Sequence, residues 1–296
     1  MPDFLEKMLL NYYSKNVVDQ IEVGFKVDRP LTLRVNNIKT TIECIVEYFN
    51  NYGITYKRVS WYDNAFIILN KSKEEIEQLD IYDKGFVYFQ SLSSMLPPLF
   101  MDVNVGEQIL DMAAAPGGKT TELAALSNNG VMITAIEKNK IRAERLKYNI
   151  EKQGAKKVSV LQMDARMLDE YFIFDKILLD APCSGSGTLN INDDMVFSEE
   201  LVNRSIDTQI KLLSEAIKHL KKGGEIIYST CSILKEENEN VLNEILKRHS
   251  DLEIVPLDIS KYSDLPLLPV SIPGTLCVMP NEYYEGFFVS KLRKSK

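Results

Sequence analysis

The chain has 296 residues, 45% of them hydrophobic and 26% charged, the balance of a globular protein long enough to bury a core without disulfide or metal staples. Its 42 acidic residues outnumber the 35 basic ones, for a net charge of −7. That excludes a protein that coats nucleic acid by charge alone, because such a grip is Lys and Arg on phosphate.

In chain order, residues 3–15 place Phe4, Leu5, Met8, Leu9, Tyr12 and Tyr13 on one face of a helix. LTLRVN (31–36) is a strand, and Ile42, Ile45, Val46 and Phe49 mark a helix over 40–51. Strands follow at 56–60 and 65–69, then a helix from Ser72 with Glu74 and Glu75 close behind its start. FVYFQ (86–90) closes a small α+β unit, expected to be an N-terminal domain over 1–92. Past Ser93 the rhythm changes. QILDM (108–112), VMITAIE (131–137), KVSVLQMD (157–164), DKILLD (175–180) and GGEIIYST (223–230) are strands. They alternate with helices at 117–127, 139–153, 198–221 and 236–249. LCVMP (276–280) and EGFFVSKL (285–292) come last. Strands alternating with helices predict a doubly wound, Rossmann-like α/β sheet over 93–296.

Several function classes are poorly served by the remaining patterns. Cys44, Cys183, Cys231 and Cys277 form no CxxC, and His219 and His249 lie in separate helical patterns, so no metal site is expected. No apolar run approaches the ~18 residues of a membrane span. MPDFLEKMLLNYY has early acidic residues and no long apolar core, unlike a signal peptide. The expectation is a reduced, cytoplasmic monomer with free thiols.

In a doubly wound sheet, ligands sit outside the carboxyl ends of the strands. Those ends read LDMAAAPGGKT (110–120), Glu137, Asp164, DAPCSGSGT (180–188) and YSTCS (228–232). One acidic residue after a strand is usually a helix cap, but five polar ends on one rim point to a site. The Gly-rich turn is not a P-loop: counting back from Gly118-Lys119-Thr120, the required first glycine falls on Ala113. GxGxxG is absent too, which disfavours a nicotinamide enzyme on the same fold. What remains is a small-residue turn at a helix N-terminus, suited to an anion such as a carboxylate. Glu137, 26 residues after Asp111, is placed to accept from ribose hydroxyls. A carboxylate with a ribose suggests S-adenosylmethionine.

The chain resembles the RNA 5-methylcytosine methyltransferases of the NOL1/NOP2/Sun family. The matching stretches are RVN (34–36), QSLSSMLPPL (90–99), LDMAAAPGGKTTELA (110–124), Glu137 with Arg142 and Arg145, Asp164, DAPCSGSGT, YSTCSILKEENENV (228–241) and GFFVSKL (286–292). In size the chain looks most like the compact archaeal members that act on tRNA. The resemblance implies that Ala113, Ala114, Ala115, Pro116, Gly117, Gly118 and Lys119 hold the methionine part of S-adenosylmethionine. It gives Glu137 the ribose, Asp164 the adenine amino group and Arg142 a place near the cofactor. Asp180 would lie beside cofactor and base, and Lys119 would reach toward the active-site polar cluster. The implied substrate is RNA, tRNA first and rRNA as the alternative. A cofactor-binding RNA-assembly factor that no longer methylates is the rival from another class; intact Lys119, Asp180, Cys183 and Cys231 argue against it.

Cytosine C5 is a poor nucleophile until a thiolate adds to C6, a covalent route that divides one hard step into easier ones. Residues alone do not say which cysteine attacks. DNA-acting relatives use the Pro-Cys element, here Cys183; the RNA family uses the Thr-Cys element, here Cys231, with Cys183 assisting release. The second cysteine motif and the EENEN segment fit the RNA pattern, so Cys231 is the expected nucleophile and Asp180 the acid facing cytosine N3. The small residues after Cys183 are expected to leave room for a flipped base. Weaker candidates for RNA contact are Lys138, Lys140, Arg142, Arg145 and Lys147, the aromatic residues Tyr52, Tyr56, Trp61 and Tyr62, and the tail KLRKSK. Departures from the family pattern include Ala113 for Cys, Ser91 for Asp, Lys235 for Pro, and a stretch GTLNINDDMVF (187–197) without the usual basic pair.

Overall fold

A computed structural model of the chain describes residues 1–190 and 197–295. They fall into two compact units. One holds residues 1–29, 169–258 and 265–296; the other holds 30–168 and 259–264.

The first unit opens with helices α1 (Asp3–Leu10) and α2 (Lys15–Phe25). The single helix expected over 3–15 ends early. Tyr12 and Tyr13 leave it and pack edge to face, 4.8 Å between ring centres. The second helix buries Val18, Ile21 and Phe25 along one stripe, the spacing of an amphipathic helix.

The second unit begins with β1 (Thr32–Val35), α3 (Ile42–Asn51), β2 (Tyr56–Arg58), β3 (Ala65–Ile68), α4 (Lys73–Glu77), α5 (Asp80–Asp83) and β4 (Val87–Phe89). The Thr41 hydroxyl caps α3 by accepting from the Cys44 N–H. Ser72 and Glu75 close a reciprocal capping box on α4, each satisfying a donor that the helix start leaves open. The strands form an antiparallel sheet in the order β2-β3-β1-β4. Leu33, Val35, Ile45, Phe49, Phe66 and Ile68 fill its core.

Helix α6 (Leu92–Leu99) follows, which the sequence did not signal because Pro97 and Pro98 lie inside it. Burial of Leu92, Met95, Leu96 and both prolines overrides their poor helix propensity. Strands β5 (Gln108–Asp111), β6 (Met132–Ile136) and β7 (Val158–Leu161) then pair in parallel. Helix α7 (Gly118–Leu126) connects β5 to β6, and α8 (Lys140–Gln153) connects β6 to β7. Asn139 caps the start of α8, and Gly154 ends it in a left-handed conformation, as the expected boundaries require.

The rest of the first unit contains β8 (Phe174–Asp180), α9 (Glu199–Lys218), β9 (Leu220–Thr230), α10 (Glu239–Arg248), β10 (Leu252–Val255), β11 (Leu267–Leu268), β12 (Leu276–Val278) and β13 (Phe287–Lys294). β8 runs parallel to β9, and β13 lies antiparallel on the other side of β9. β12 and β10 both pair with β13, and β11 pairs with β12. Ile177, Leu178 and Leu179 of β8 are fully buried, which is why that strand reads as a continuous apolar run. Among the described residues, no helix is long and apolar enough to cross a membrane, and no group of three or more His, Cys, Asp or Glu could hold a metal ion.

Candidate active site

The ends of β8 and β9 carry the two cysteine motifs, and their parallel pairing sets Asp180 opposite Ser229. The Ser229 hydroxyl donates to Asp180 Oδ1 at 2.7 Å. Beyond the strand ends the chain turns so that Cys183 Sγ and Cys231 Sγ lie 2.8 Å apart, both half-buried free thiols. The bond to Cys231, then burial, then the charges of Cys231 and Glu237 push the Cys183 thiol well above its usual range. Either sulfur can donate to the other. Cys277 is buried and Cys44 is exposed.

The loops that carry the two thiols are stitched together by small polar groups. Gly187 N–H donates to the Cys231 carbonyl at 3.0 Å. Ser186 Oγ and Ser232 Oγ lie 2.7 Å apart, and the Ile233 N–H donates to Ser186 Oγ. Thr230 Oγ1 donates to Asn238 Oδ1 at 2.6 Å, and Asn238 Nδ2 donates back to the Ser232 carbonyl. The EENEN segment thus curls against the loop of Cys231. Glu237, fully buried, is the centre of the network: its carboxylate accepts from the Ser184 N–H and hydroxyl, from Ser232 Oγ and from Gln209 Nε2. Sequence reading passed over Glu237; the signal was an acidic residue a few positions after a reactive cysteine.

This stitching gives the small residues of DAPCSGSGT a use other than room for a base. Ser184 and Ser186 are buried and spent on hydrogen bonds. Gly185 has φ +74°, a conformation that favours glycine. Gly187 lies against the backbone of Gly286, whose N–H donates to the Gly187 carbonyl at 2.7 Å. Residues 191–196 of the stretch without a basic pair lie outside the described residues.

The cofactor candidates other than Asp180 lie in the second unit. Asp111 ends β5 and accepts from Thr120 Oγ1 at 2.7 Å, which ties the strand end to α7. The turn between them passes through a cis Ala115–Pro116 bond and Gly117 at φ +108°. No side chain caps the N-terminus of α7. Arg142 reaches from α8 to donate to the Ala115 carbonyl at 2.8 Å, while its other terminal nitrogen lies 3.4 Å from Glu137. Glu137 is 4% exposed and also accepts from the Asn139 N–H. Asn149 Nδ2 donates to the Pro116 carbonyl, and Lys119 Nζ donates to Ser94 Oγ at 2.6 Å. Asp164 caps a short 3-10 turn and pairs with Arg166, whose hydrogen bonds hold the carboxyl down to about 2. An uncapped helix start, a small-residue turn and a buried glutamate fit a ligand with a carboxylate and a ribose.

Arg34 of the RVN stretch supports this turn from below. It is fully buried, donates to Gln90 Oε1 and Thr121 Oγ1, and lies 3.4 Å from the Gly118 carbonyl. Glu122, also fully buried, stands 3.9 Å from Arg34 and accepts from Gln90 Nε2.

The weaker RNA-contact candidates divide. Lys138, Lys140, Arg142, Arg145 and Lys147 are exposed, though Lys147 pairs with Glu144 on the same helix. Trp61 and Tyr62 are buried, and Tyr56 packs on Phe49 and Phe66 as part of the core. Tyr52 alone of the four is well exposed, stacked on Tyr48 at 4.2 Å. In the tail, Lys291 and Arg293 pair with Glu225, and Lys296 lies outside the described residues.

The fold is that of the Rossmann-like α/β methyltransferase class. The model of the family described as 16S rRNA methyltransferase RsmB/F matches residues 98–293, and the chain belongs to that family. The chain is 34% identical over 285 residues to ribosomal RNA small subunit methyltransferase F of Shewanella piezotolerans, covering 93% of this chain and 60% of that one. The protein of the same name from Escherichia coli is 36% identical over 281 residues, 90% of this chain and 58% of the other. The chain thus spans about 60% of the length of such curated relatives. A crystal structure of a methyltransferase homolog protein from Pyrococcus horikoshii is 31% identical, covers 99% of this chain and 100% of its own, and superposes with a TM-score of 0.81. NSun6 from Pyrococcus horikoshii, solved with SFG, shares the fold at 23% identity, with 100% and 98% coverage and a TM-score of 0.86.

Proposed function

We propose that this chain methylates C5 of cytosine in RNA, with Cys231 as attacking thiolate and Cys183 as the residue that assists its release. The observation that carries the reading is the 2.8 Å approach of the two sulfurs past the ends of adjacent parallel strands, with Asp180 held by Ser229 at the same rim. The names of the two curated relatives described above, both ribosomal RNA small subunit methyltransferase F, favour rRNA over the tRNA expected from size.

In this reading the thiolate of Cys231 adds to C6, and the C5=C6 electron pair moves onto C5. Asp180 stabilises the adduct through cytosine N3. S-adenosylmethionine, when bound, supplies an electrophilic methyl group. The turn Ala113–Lys119 would hold its methionine part, Glu137 its ribose and Asp164 its adenine, with Arg142 fixing the turn to Glu137. Once C5 carries the methyl, a base takes the C5 proton, the C5–H electron pair restores C5=C6, and the S–C6 bond breaks. The sulfur leaves as a thiolate, and the Cys183 S–H beside it stabilises that charge. The same proposal gives RNA binding to residues 1–92 and methyl transfer to 93–296, in a cytoplasmic monomer.

The test is methyl transfer from labelled S-adenosylmethionine to unmodified small-subunit rRNA and to unmodified tRNA, followed by nucleoside analysis. The expected product is 5-methylcytidine in rRNA. Label in another nucleoside, or none in either RNA, overturns the reading; label in tRNA alone reverses the substrate assignment.

A further inference from the structure

We infer that Glu237 is the positioning residue of the cysteine pair: it ties the loop of Cys183 to the loop of Cys231. The tie is geometric. Ser184 follows Cys183 directly, and Ser232 follows Cys231 directly. One carboxylate takes a hydrogen bond from each: 2.7 Å from the Ser184 N–H, 2.5 Å from the Ser184 hydroxyl and 2.6 Å from the Ser232 hydroxyl. Gln209 of α9 adds a fourth at 3.2 Å, and its side chain also donates to the Pro182 carbonyl on the other side of Cys183. The backbone of Glu237 is fixed as well, since its carbonyl accepts from the hydroxyl of buried Tyr228 at 2.7 Å.

A fully buried carboxylate with four donors is a rigid anchor, because each lost partner would leave a charge unsatisfied in the interior. An apolar side chain would fill the space but remove the acceptor that Ser184 and Ser232 share. The arrangement therefore does more than pack. It sets two loops, 48 residues apart in sequence, at sulfur–sulfur hydrogen-bond distance.

The charge has a second consequence. Glu237 disfavours a thiolate on Cys183, as any negative neighbour does. Glu237 touches neither sulfur and acts only through the loops and its field. Its importance for catalysis rests on the reading of Cys231 as nucleophile, but its effect on the thiols does not.

The experiment reads the thiols directly, without RNA or methyl transfer. Full-length protein and its Glu237→Gln variant are treated with iodoacetamide at pH 8, and alkylation at each cysteine is followed by mass spectrometry. Exposed Cys44 is the positive control, and buried Cys277 reports unfolding. The expected result is a rise in the Cys183-to-Cys231 alkylation ratio of about tenfold, with Cys277 still protected. An unchanged ratio with Cys277 protected overturns the inference. If Cys277 becomes reactive, Ser232→Ala decides, since it removes only one of the four donors. There the ratio is expected to rise about threefold as Cys183 loses its sulfur partner, and an unchanged ratio overturns the inference. Failure of the methyl-transfer assay would leave either outcome readable.

Discussion

Cys183 Sγ and Cys231 Sγ stand 2.8 Å apart at the ends of β8 and β9, and both are free thiols. At that distance one thiol can donate to the other, so their chemistry is that of a pair. On the proposed reading, the attacking residue and the one that assists its release are already in contact.

The two cysteines should therefore fail differently. Cys231→Ala is expected to abolish methyl transfer and give no covalent RNA complex. Cys183→Ala is expected to retain attack but release product slowly, so an RNA–protein adduct accumulates that survives a denaturing gel. An adduct with Cys231→Ala instead would reverse the two roles.

Asp180 is expected to act on the base and not on the thiols. Asp180→Asn should lower kcat by about 10²–10⁴, the usual worth of a positioned acid–base group, with cysteine alkylation unchanged. Ser229→Ala, which removes the 2.7 Å bond to Asp180, should give a smaller loss of about tenfold, near one hydrogen bond to a charged group. Single-turnover rates at saturating RNA separate these effects from weaker binding.

Gly187 leaves no room for a side chain, because a Cβ there would collide with the Gly286 carbonyl. Gly187→Ala should cost about 1–3 kcal/mol, the range of overpacking in a tight core. It would appear as a lower urea midpoint with an unchanged slope.

Glu122 makes stability depend on pH. Burial pushes its carboxyl up to about 7, against the pull of Arg34, Gln90 and Lys119; in the unfolded chain it titrates near about 4.3. Between those values the folded chain holds a proton that the unfolded chain lacks, so the contribution to stability falls as pH rises through the window. Thermal unfolding at pH 5 and pH 8 should show that fall in the wild type, and Glu122→Gln should flatten it. A variant with the same slope would assign the pH dependence to other groups.

Much of the site was legible because its chemistry restricts residue type. A thiol pair after two strands, a small-residue turn before a helix and an acidic residue at the next strand end each need particular side chains. Helix α2 was missed because Tyr12 and Tyr13 continue the apolar face of α1 past its true end. Helix α6 was hidden by Pro97 and Pro98, which only burial makes tolerable. The short strands β10 and β11 have no period long enough to read, and their pairing with β13 and β12 is tertiary information. Ser184, Ser186 and Gly187 resembled an open loop. Their use in a buried network depends on partners at Ser232, Glu237 and Gly286, which no local pattern connects to them.

The bond from Gly286 to Gly187 also bears on the order in which the protein becomes competent during synthesis. Cys231 and the loop of Cys183 leave the ribosome well before residue 286. Yet Gly286 and β13 complete the setting of those loops, since Phe288 pairs with Thr230 next to the nucleophile candidate. Chains grow from the N-terminus and fold in units as they emerge. A nascent chain halted before β13 would carry both thiols without the frame that aligns them.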